Sequence, residues 1–385
     1  MTHTLANNVG VAFSRKIRSY PKSESNLATI KEKVMNGERL TREDGVLLYE
    51  TANLLELGNL ANYVREKRHG NNTYFNQNFH MNATNVCEAD CLFCSFARIE
   101  PDSEKAFTLN LQQAKKFIEE HNHAQMTEIH IVNGLHKGLP FEYYTDLLQM
   151  VRDNFPHLHI KAFTAVEIKY FAQKYDISIC ETLEKLMDAG LMSMPGGGAE
   201  IFAKRVRDKV CRNKVSAEDW LDIHRQAHRL GLRSNATMLY GHIENYSERI
   251  DHLISLRRLQ DETGGFQTFI PLAFHPEGNR MRHLQAPTGF DDLRTYAISR
   301  LMLDNFDHIK SYWVMVGPKI AQISLSFGVD DLDGTVVSEK IYKMSGSQSP
   351  NMLTKEQLEH LICEAGRTPV ERDTLYNVVG EDHDL

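Results

Sequence analysis

Three thiols crowd into eight residues of this chain: Cys87, Cys91 and Cys94, within the stretch NATNVCEADCLFCSFA. Their spacing is C-x3-C-x2-C. Two chemistries use thiolates gathered this closely. A structural zinc site closes with four tetrahedral ligands, and here a fourth would come from afar, from His80 or Cys180. An iron–sulfur cubane is also normally held by four cysteines. Held by three, it keeps one iron with an open coordination position. A closed site is a staple, whereas an open one can bind and transform a ligand. Cys180, Cys211 and Cys363 stand alone and read as ordinary thiols.

Other chemistry-bearing residues share one placement, at the ends of strand-like segments. Asn133 and Gly134 follow EIHIV (128–132), and Glu167 follows HIKAFTA (159–165). LMSM (191–194) runs into Pro195 and the triplet Gly196, Gly197 and Gly198. Bare backbone N–H groups there can approach a ligand. The chain has no nucleotide P-loop signature around them. Thr237, His242 and His275 sit at the ends of RSNATML (233–239) and QTFIPLAF (267–274) and read as substrate contacts. DDLDGT (330–335) lacks the spacing and terminal Glu of an EF-hand loop. It reads as a turn whose Gly334 and Thr335 donate to an anionic substrate.

The elements that must position these groups follow from periodicity. Residues 24–70 read as helical, with Thr41 and Asp44 resembling a capping box ahead of VLLYETANLLELGNLANYV. A short aromatic run ending near Asn82 is the expected first strand. SYWVMV (311–316) is expected as a strand before Gly317-Pro318, and a short eighth strand near GTVVSEKIY (334–342). Helical stretches lie between, such as NLQQAKKFIEEH and SAEDWLDIHRQAHRLG, the latter capped by Ser216 with Asp219. The alternation predicts an α/β fold: a (β/α)8 or nearly complete TIM-type barrel, which typically takes ~250 residues. An open doubly wound sheet competes with it. The barrel is preferred because polar or Gly-rich residues follow almost every strand, as on an active-site rim. The expected divisions are a helical extension (1–72), the barrel (73–345) and a C-terminal helical segment and tail (346–385), with the acidic GEDHDL end frayed.

The 385 residues are 42% apolar and 25% charged, with a net charge of −7. That is a globular balance, and it argues against nucleic acid as a partner, since a phosphate-backbone binder needs a basic face. The opening MTHTLANNVGVAFSRKIRSY has no apolar core of a secretory signal, and no run suits a spanning helix. The expected compartment is the cytoplasm, where thiols stay reduced, with no membrane contact.

The cysteine loop resembles the radical S-adenosylmethionine (SAM) superfamily, whose motif is C-x3-C-x-aromatic-C; Phe93 supplies the aromatic. The resemblance implies that Cys87, Cys91 and Cys94 hold a 4Fe–4S cluster whose open iron chelates the amino and carboxylate groups of SAM. One-electron cleavage of the sulfonium then gives methionine and a deoxyadenosyl radical. It also implies that Phe93 lies near the adenine and that Asn133-Gly134 touch the SAM amino group. Glu167 would accept from the ribose hydroxyls, with a solvated helix-start Glu as the alternative. Of the two arginines after the glycine run, Arg205 is taken to clamp the SAM carboxylate, with a surface salt bridge as the alternative.

MPGGGAEIF, WLDIHRQAHRLGLRSNATMLYGHIE, LQDETGGFQTFIPLAFHPE and DDLDGTVVSEKI further resemble the aminofutalosine synthase family of menaquinone biosynthesis, over roughly residues 40–375. The sibling cyclic dehypoxanthine futalosine synthases share a PGGGAE-like stretch, whereas GLRSNATMLYGHIE and ETGGFQTFIPLAFHPE favour the synthase. The resemblance implies a small-molecule substrate, 3-[(1-carboxyvinyl)oxy]benzoate, and a one-electron donor such as flavodoxin or ferredoxin. The radical adds to the vinyl carbon, the adduct attacks the ring carbon bearing the ether oxygen, and carbon dioxide is lost. His242, His275, Thr237 and the backbone at Gly334–Thr335 would serve the two carboxylates. No catalytic acid or base is assigned. A barrel protein that binds through a structural zinc loop is the non-enzymatic alternative.

Overall fold

The computed structural model describes residues 24–50 and 53–380. The expectations for residues 1–20 and 381–385 lie outside the described residues. The Glu24–Asn36, Arg42–Glu50 and Leu54–His69 helices occupy the helical N-terminal pattern. Thr41 and Asp44 cap reciprocally. The Asp44 N–H donates to Thr41 Oγ1 at 3.2 Å, and the Thr41 N–H donates to the Asp44 carboxylate at 2.9 Å. Ser216 caps the Ala217–Arg229 helix through the Asp219 N–H at 3.0 Å.

Ten strands follow among the described residues. They are β1 (Asn72–Asn76), β2 (Asn78–Met81), β3 (Glu128–Ile131), β4 (His159–Ala162), β5 (Ser193–Met194), β6 (Arg233–Tyr240), β7 (Phe266–Ala273), β8 (His308–Ile309), β9 (Asp331–Gly334) and β10 (Thr368–Glu371). Strands β2 to β8 form one parallel sheet in strict chain order. An open doubly wound sheet would reverse its strand order at a switch point, so the competing architecture is set aside. The sheet is a curled, partial TIM-type barrel, not a closed (β/α)8. Strands β10, β1 and β9 make a second parallel sheet.

Two strand expectations are corrected. SYWVMV is a buried helical turn, Trp313–Val316; the strand of this unit is the preceding pair His308–Ile309. A short continuous apolar run cannot tell a buried strand from a buried helical turn, and Gly317 at φ +81° ends the turn at once. The eighth segment is strand only as far as Gly334, and Ile341–Met344 is helical. The 331–337 segment nevertheless touches both edges of the large sheet. The Ser311 backbone N–H donates to the Asp331 carbonyl at 2.8 Å and the His80 backbone N–H donates to the Val337 carbonyl at 2.8 Å. These isolated bridges span the gap that an eighth strand would close.

The core runs between sheet and helices, with Trp220 and Trp313 fully buried. Each indole N–H finds a carbonyl, Gly197 for Trp220 at 3.1 Å and Gly334 for Trp313 at 2.8 Å. Buried Trp requires such a partner. No described helix is long and apolar enough to cross a membrane.

Candidate active site

The loop after β2 carries the three thiols, and neighbouring backbone pins it at several points. The Cys87 N–H donates to Arg98 O (2.8 Å), the Glu88 N–H to Leu135 O (3.2 Å) and the Leu92 N–H to Val210 O (2.9 Å). Asp90 pairs with Arg280 at 2.6 Å, which ties the loop to the segment after β7. Gly134 lies against this loop. A Cβ there would stand 2.3 Å from the Val86 carbonyl oxygen and 3.0 Å from Cys87 Cβ, so only glycine allows the approach.

Cys87, Cys91, Phe93 and Cys94 open onto a cavity of about 260 Å³ that descends into the barrel. Asn133, Gly134, Glu167, Gly196, Gly197, Gly198, Thr237 and His275 line it too. Glu167 is buried rather than solvated. It forms the capping box of the Ala165–Lys174 helix with Thr164 and accepts the Asn133 N–H at 2.9 Å. Burial pushes its carboxyl up to about 7 against those hydrogen bonds. Asn133 in turn accepts the Ala83 N–H at 2.7 Å, locking β3 to the start of the cysteine loop. Thr237 Oγ1 donates to the Gly196 carbonyl at 2.6 Å and holds the glycine run in place. Gly198 sits at φ +85°, a conformation that favours glycine. The His275 ring Nε2 meets the Met315 carbonyl at 2.8 Å.

Four expected site residues are not brought to the cavity. Arg205 is exposed and grips Glu248 at 2.6 Å, the surface salt bridge that was its alternative. Arg207, on the other side of the same helix, braces the carbonyl of Ala199 at 2.6 Å. His242 is enclosed between the Leu239 carbonyl (3.0 Å) and Glu244 (3.1 Å). Gly334 and Thr335 spend their polar groups holding β9 to its neighbours. The Gly334 carbonyl accepts from Trp313, and the Thr335 hydroxyl donates to Asn78 O at 2.8 Å. A turn pattern reads as available backbone, but the second sheet consumes it.

The thiols fit an iron–sulfur cluster better than a single ion. Among the described residues, the one set of three or more His, Cys, Asp or Glu with ligand atoms all within 4.8 Å of one another is His69, His308 and Asp330. The three sulfurs are not all within 4.8 Å of one another, whereas a zinc tetrathiolate has sulfurs about 3.8 Å apart. Burial pushes the Cys87 and Cys91 thiols up, so neither becomes a thiolate without a compensating cation. Lys214 stands beside them, paired with Glu200 at 2.7 Å and 5.2 Å from the Phe93 ring centre. Burial opposes its charge, but Cys91 and Glu200 hold its pKa well above the usual lysine value.

Sequence reasoning missed Lys214 and, deeper, the floor of the cavity, of which it named only His80, as a possible zinc ligand. There His80, Glu128, His130, Lys161, Lys310, Tyr312 and Asp333 line the same space. Lys161 pairs with Glu128 at 2.6 Å and Lys310 with Asp333 at 3.3 Å. The signal was in the strands themselves. Barrel strands are buried on both faces and read as apolar runs, yet Glu128 and His130 alternate with Ile129 and Ile131.

Comparison with known proteins gives the family. The radical SAM superfamily matches residues 81–256, and the CofH/MqnC C-terminal region matches residues 263–383. The chain is 51% identical to an aminodeoxyfutalosine synthase of Thermus thermophilus, over 92% of this chain and 96% of that one. It is 46% identical to the Streptomyces coelicolor aminodeoxyfutalosine synthase, over 91% and 94%. Two solved structures share the fold. The FeFe-hydrogenase maturase HydG has a TM-score of 0.69 at 15% identity, covering 90% of this chain and 75% of that one. Methylornithine synthase has a TM-score of 0.67 at 17% identity, covering 88% and 97%. The structural-zinc alternative is thereby set aside, because the superfamily works with a 4Fe–4S cluster and SAM. This chain is a radical SAM enzyme and belongs to the family of the aminodeoxyfutalosine synthases.

Proposed function

We propose that this chain joins the adenosyl group of SAM to 3-[(1-carboxyvinyl)oxy]benzoate, with rearrangement and loss of carbon dioxide, to give 6-amino-6-deoxyfutalosine for menaquinone biosynthesis. The observation that carries it is the depth of one cavity. It runs from three thiols at the mouth, past an apolar wall that includes Ile270, Leu272 and Phe274, to buried lysines and imidazoles. Such a space suits a cofactor above and an anionic aromatic substrate below.

In this reading Cys87, Cys91 and Cys94 hold the cluster and leave one iron for SAM. When bound, the two together supply a deoxyadenosyl radical. The chain's own residues position and shield. Phe93 flanks the adenine, and Glu167, whose oxygens already accept from Thr164 and Asn133, lies on the ribose side and would exchange one of these bonds for a ribose hydroxyl. The backbone of Gly134 and Gly196–Gly198 allows close approach. Thr237 and His275 contact the substrate near the mouth. The apolar wall keeps the vinyl carbon close to the adenosyl group in a dry space, where proximity supplies much of the rate. We place the enzyme in the cytoplasm with flavodoxin or ferredoxin as electron donor. We also retain the divisions 1–72, 73–345 and 346–385.

The test is turnover by anaerobically reconstituted protein given reductant, the enol-ether benzoate and SAM labelled in its adenosyl carbons. The expected result is label in an adenosylated, decarboxylated product. Release of free deoxyadenosine with no adenosylated product would assign the cyclase-type reaction instead. Protein that holds zinc and no iron would overturn both.

A further inference from the structure

The floor of the cavity departs from how a parallel barrel is usually filled. Interior layers of such barrels are dominated by branched apolar side chains. Here three adjacent strands place His80, His130 and Lys161 directly beside one another in register. Lys310 and Tyr312 approach from beyond β8, and all five line the cavity. The His80 and His130 rings are 4.5 Å apart, and the Tyr312 ring lies parallel to that of His80 at 6.3 Å.

This layer is paired internally but not satisfied. His80 Nε2, His130 Nε2 and the Tyr312 hydroxyl are buried with no hydrogen-bond partner. Tyr312 is only 5% exposed, Lys161 5% and Lys310 2%. Each lysine makes one contact with a carboxylate, Glu128 or Asp333, which leaves N–H groups unspent on a three-donor ammonium. Buried polar atoms without partners destabilise a fold. Several converging on one cavity point to a ligand that completes them. Glu128 lies one layer further down, as the first residue of β3, so a ligand entering from the cysteine loop meets His130 and Lys161 before it.

We propose that His80, His130 and Lys161, with Lys310 and Tyr312 facing them, bind the ring carboxylate of the substrate. This rests on the proposed function. Ammonium, imidazole and phenol groups are hydrogen-bond donors, and a carboxylate offers about four acceptor sites. The ring carboxylate is the end of the enol-ether benzoate remote from the vinyl carbon. Seating it on the floor aims the vinyl carbon at the mouth, where the thiols are. The floor is therefore a positioning and specificity device for the acceptor substrate.

The test is equilibrium binding to reconstituted, unreduced holoprotein in the presence of SAM, so no turnover is involved. Two ligands are compared: the enol-ether benzoate, and 2-phenoxyacrylate, which lacks only the ring carboxylate. Lys161→Met is expected to weaken the first about 10- to 100-fold, the usual range for losing a charged hydrogen bond, and to leave the second within about two-fold. Lys161→Met also strands Glu128, so Tyr312→Phe is the second variant. It removes a hydroxyl with no protein partner and cannot depend on refolding. It is expected to weaken the first ligand about five-fold and spare the second. If Tyr312→Phe binds both ligands as the unaltered protein does, or weakens both alike, the assignment is overturned. If the unaltered holoprotein binds neither ligand, the substrate reading itself fails and takes this one with it.

Discussion

The cysteine loop and the His80–His130–Lys161 layer line one cavity, the loop beyond the ends of the strands and the layer within them, and they are stabilised in opposite ways. The loop is held by its backbone and by the Asp90–Arg280 pair, while burial raises its Cys87 and Cys91 thiols toward the neutral form. In the proposed reading a metal cluster completes it. The floor carries its own compensation, Lys161 against Glu128 and Lys310 against Asp333, and is formed before any ligand arrives. The mouth thus depends on its cofactor for chemistry, and the floor depends on internal ion pairs for shape.

Breaking the mouth has the largest expected effect. Cys91→Ala should abolish iron retention after anaerobic reconstitution, and turnover with it, while the denaturation midpoint of the apoprotein stays near that of the parent. Iron and sulfide analysis beside urea unfolding checks both halves. Breaking the floor should do the reverse. Glu128→Leu leaves Lys161 buried without its partner, so global stability should fall by about 3–5 kcal/mol. Iron content per folded protein should not change.

The third prediction concerns pH. Burial pushes the Glu339 carboxyl, beside the cavity, up to about 7 from 4.5. The folded state then binds a proton that the unfolded state has released. Stability from this group is therefore full below about 4.5 and declines as pH rises to about 7. In Glu339→Gln that part of the decline should vanish, measured as the difference in unfolding free energy between pH 5 and pH 7. The smallest effect belongs to Arg205→Ala. Its pair with Glu248 is surface-exposed, so stability should change by no more than about 1 kcal/mol. SAM affinity should not change, and a large loss would return Arg205 to the cofactor site.

Much of the mouth was legible because its signals are local. Cys87, Cys91 and Cys94 lie within one turn-rich loop, and the Gly196–Gly198 run marks a backbone that others approach closely. Local capping was legible too, at Thr41 and Ser216. Residues whose role depends on a distant partner were not. Arg205 and Arg207 are two positions apart, yet one meets Glu248 at the surface and the other meets the Ala199 carbonyl inside. SYWVMV has the composition of a strand, but a Gly317 turn and the pairing of Ser311 with Asp331 decide otherwise.

The amino-acid sequence on its own set the parallel α/β class, because periodicity and caps act over a few residues; the thiol spacing left zinc and iron–sulfur both open, and the resemblance of whole motifs pointed to the family. Tertiary structure alone decided which polar groups meet in the barrel. Register between β2, β3 and β4 sets His80, His130 and Lys161 side by side. A strand pattern shows which face a side chain shares, but the neighbour across the ladder comes from residues far away in the chain.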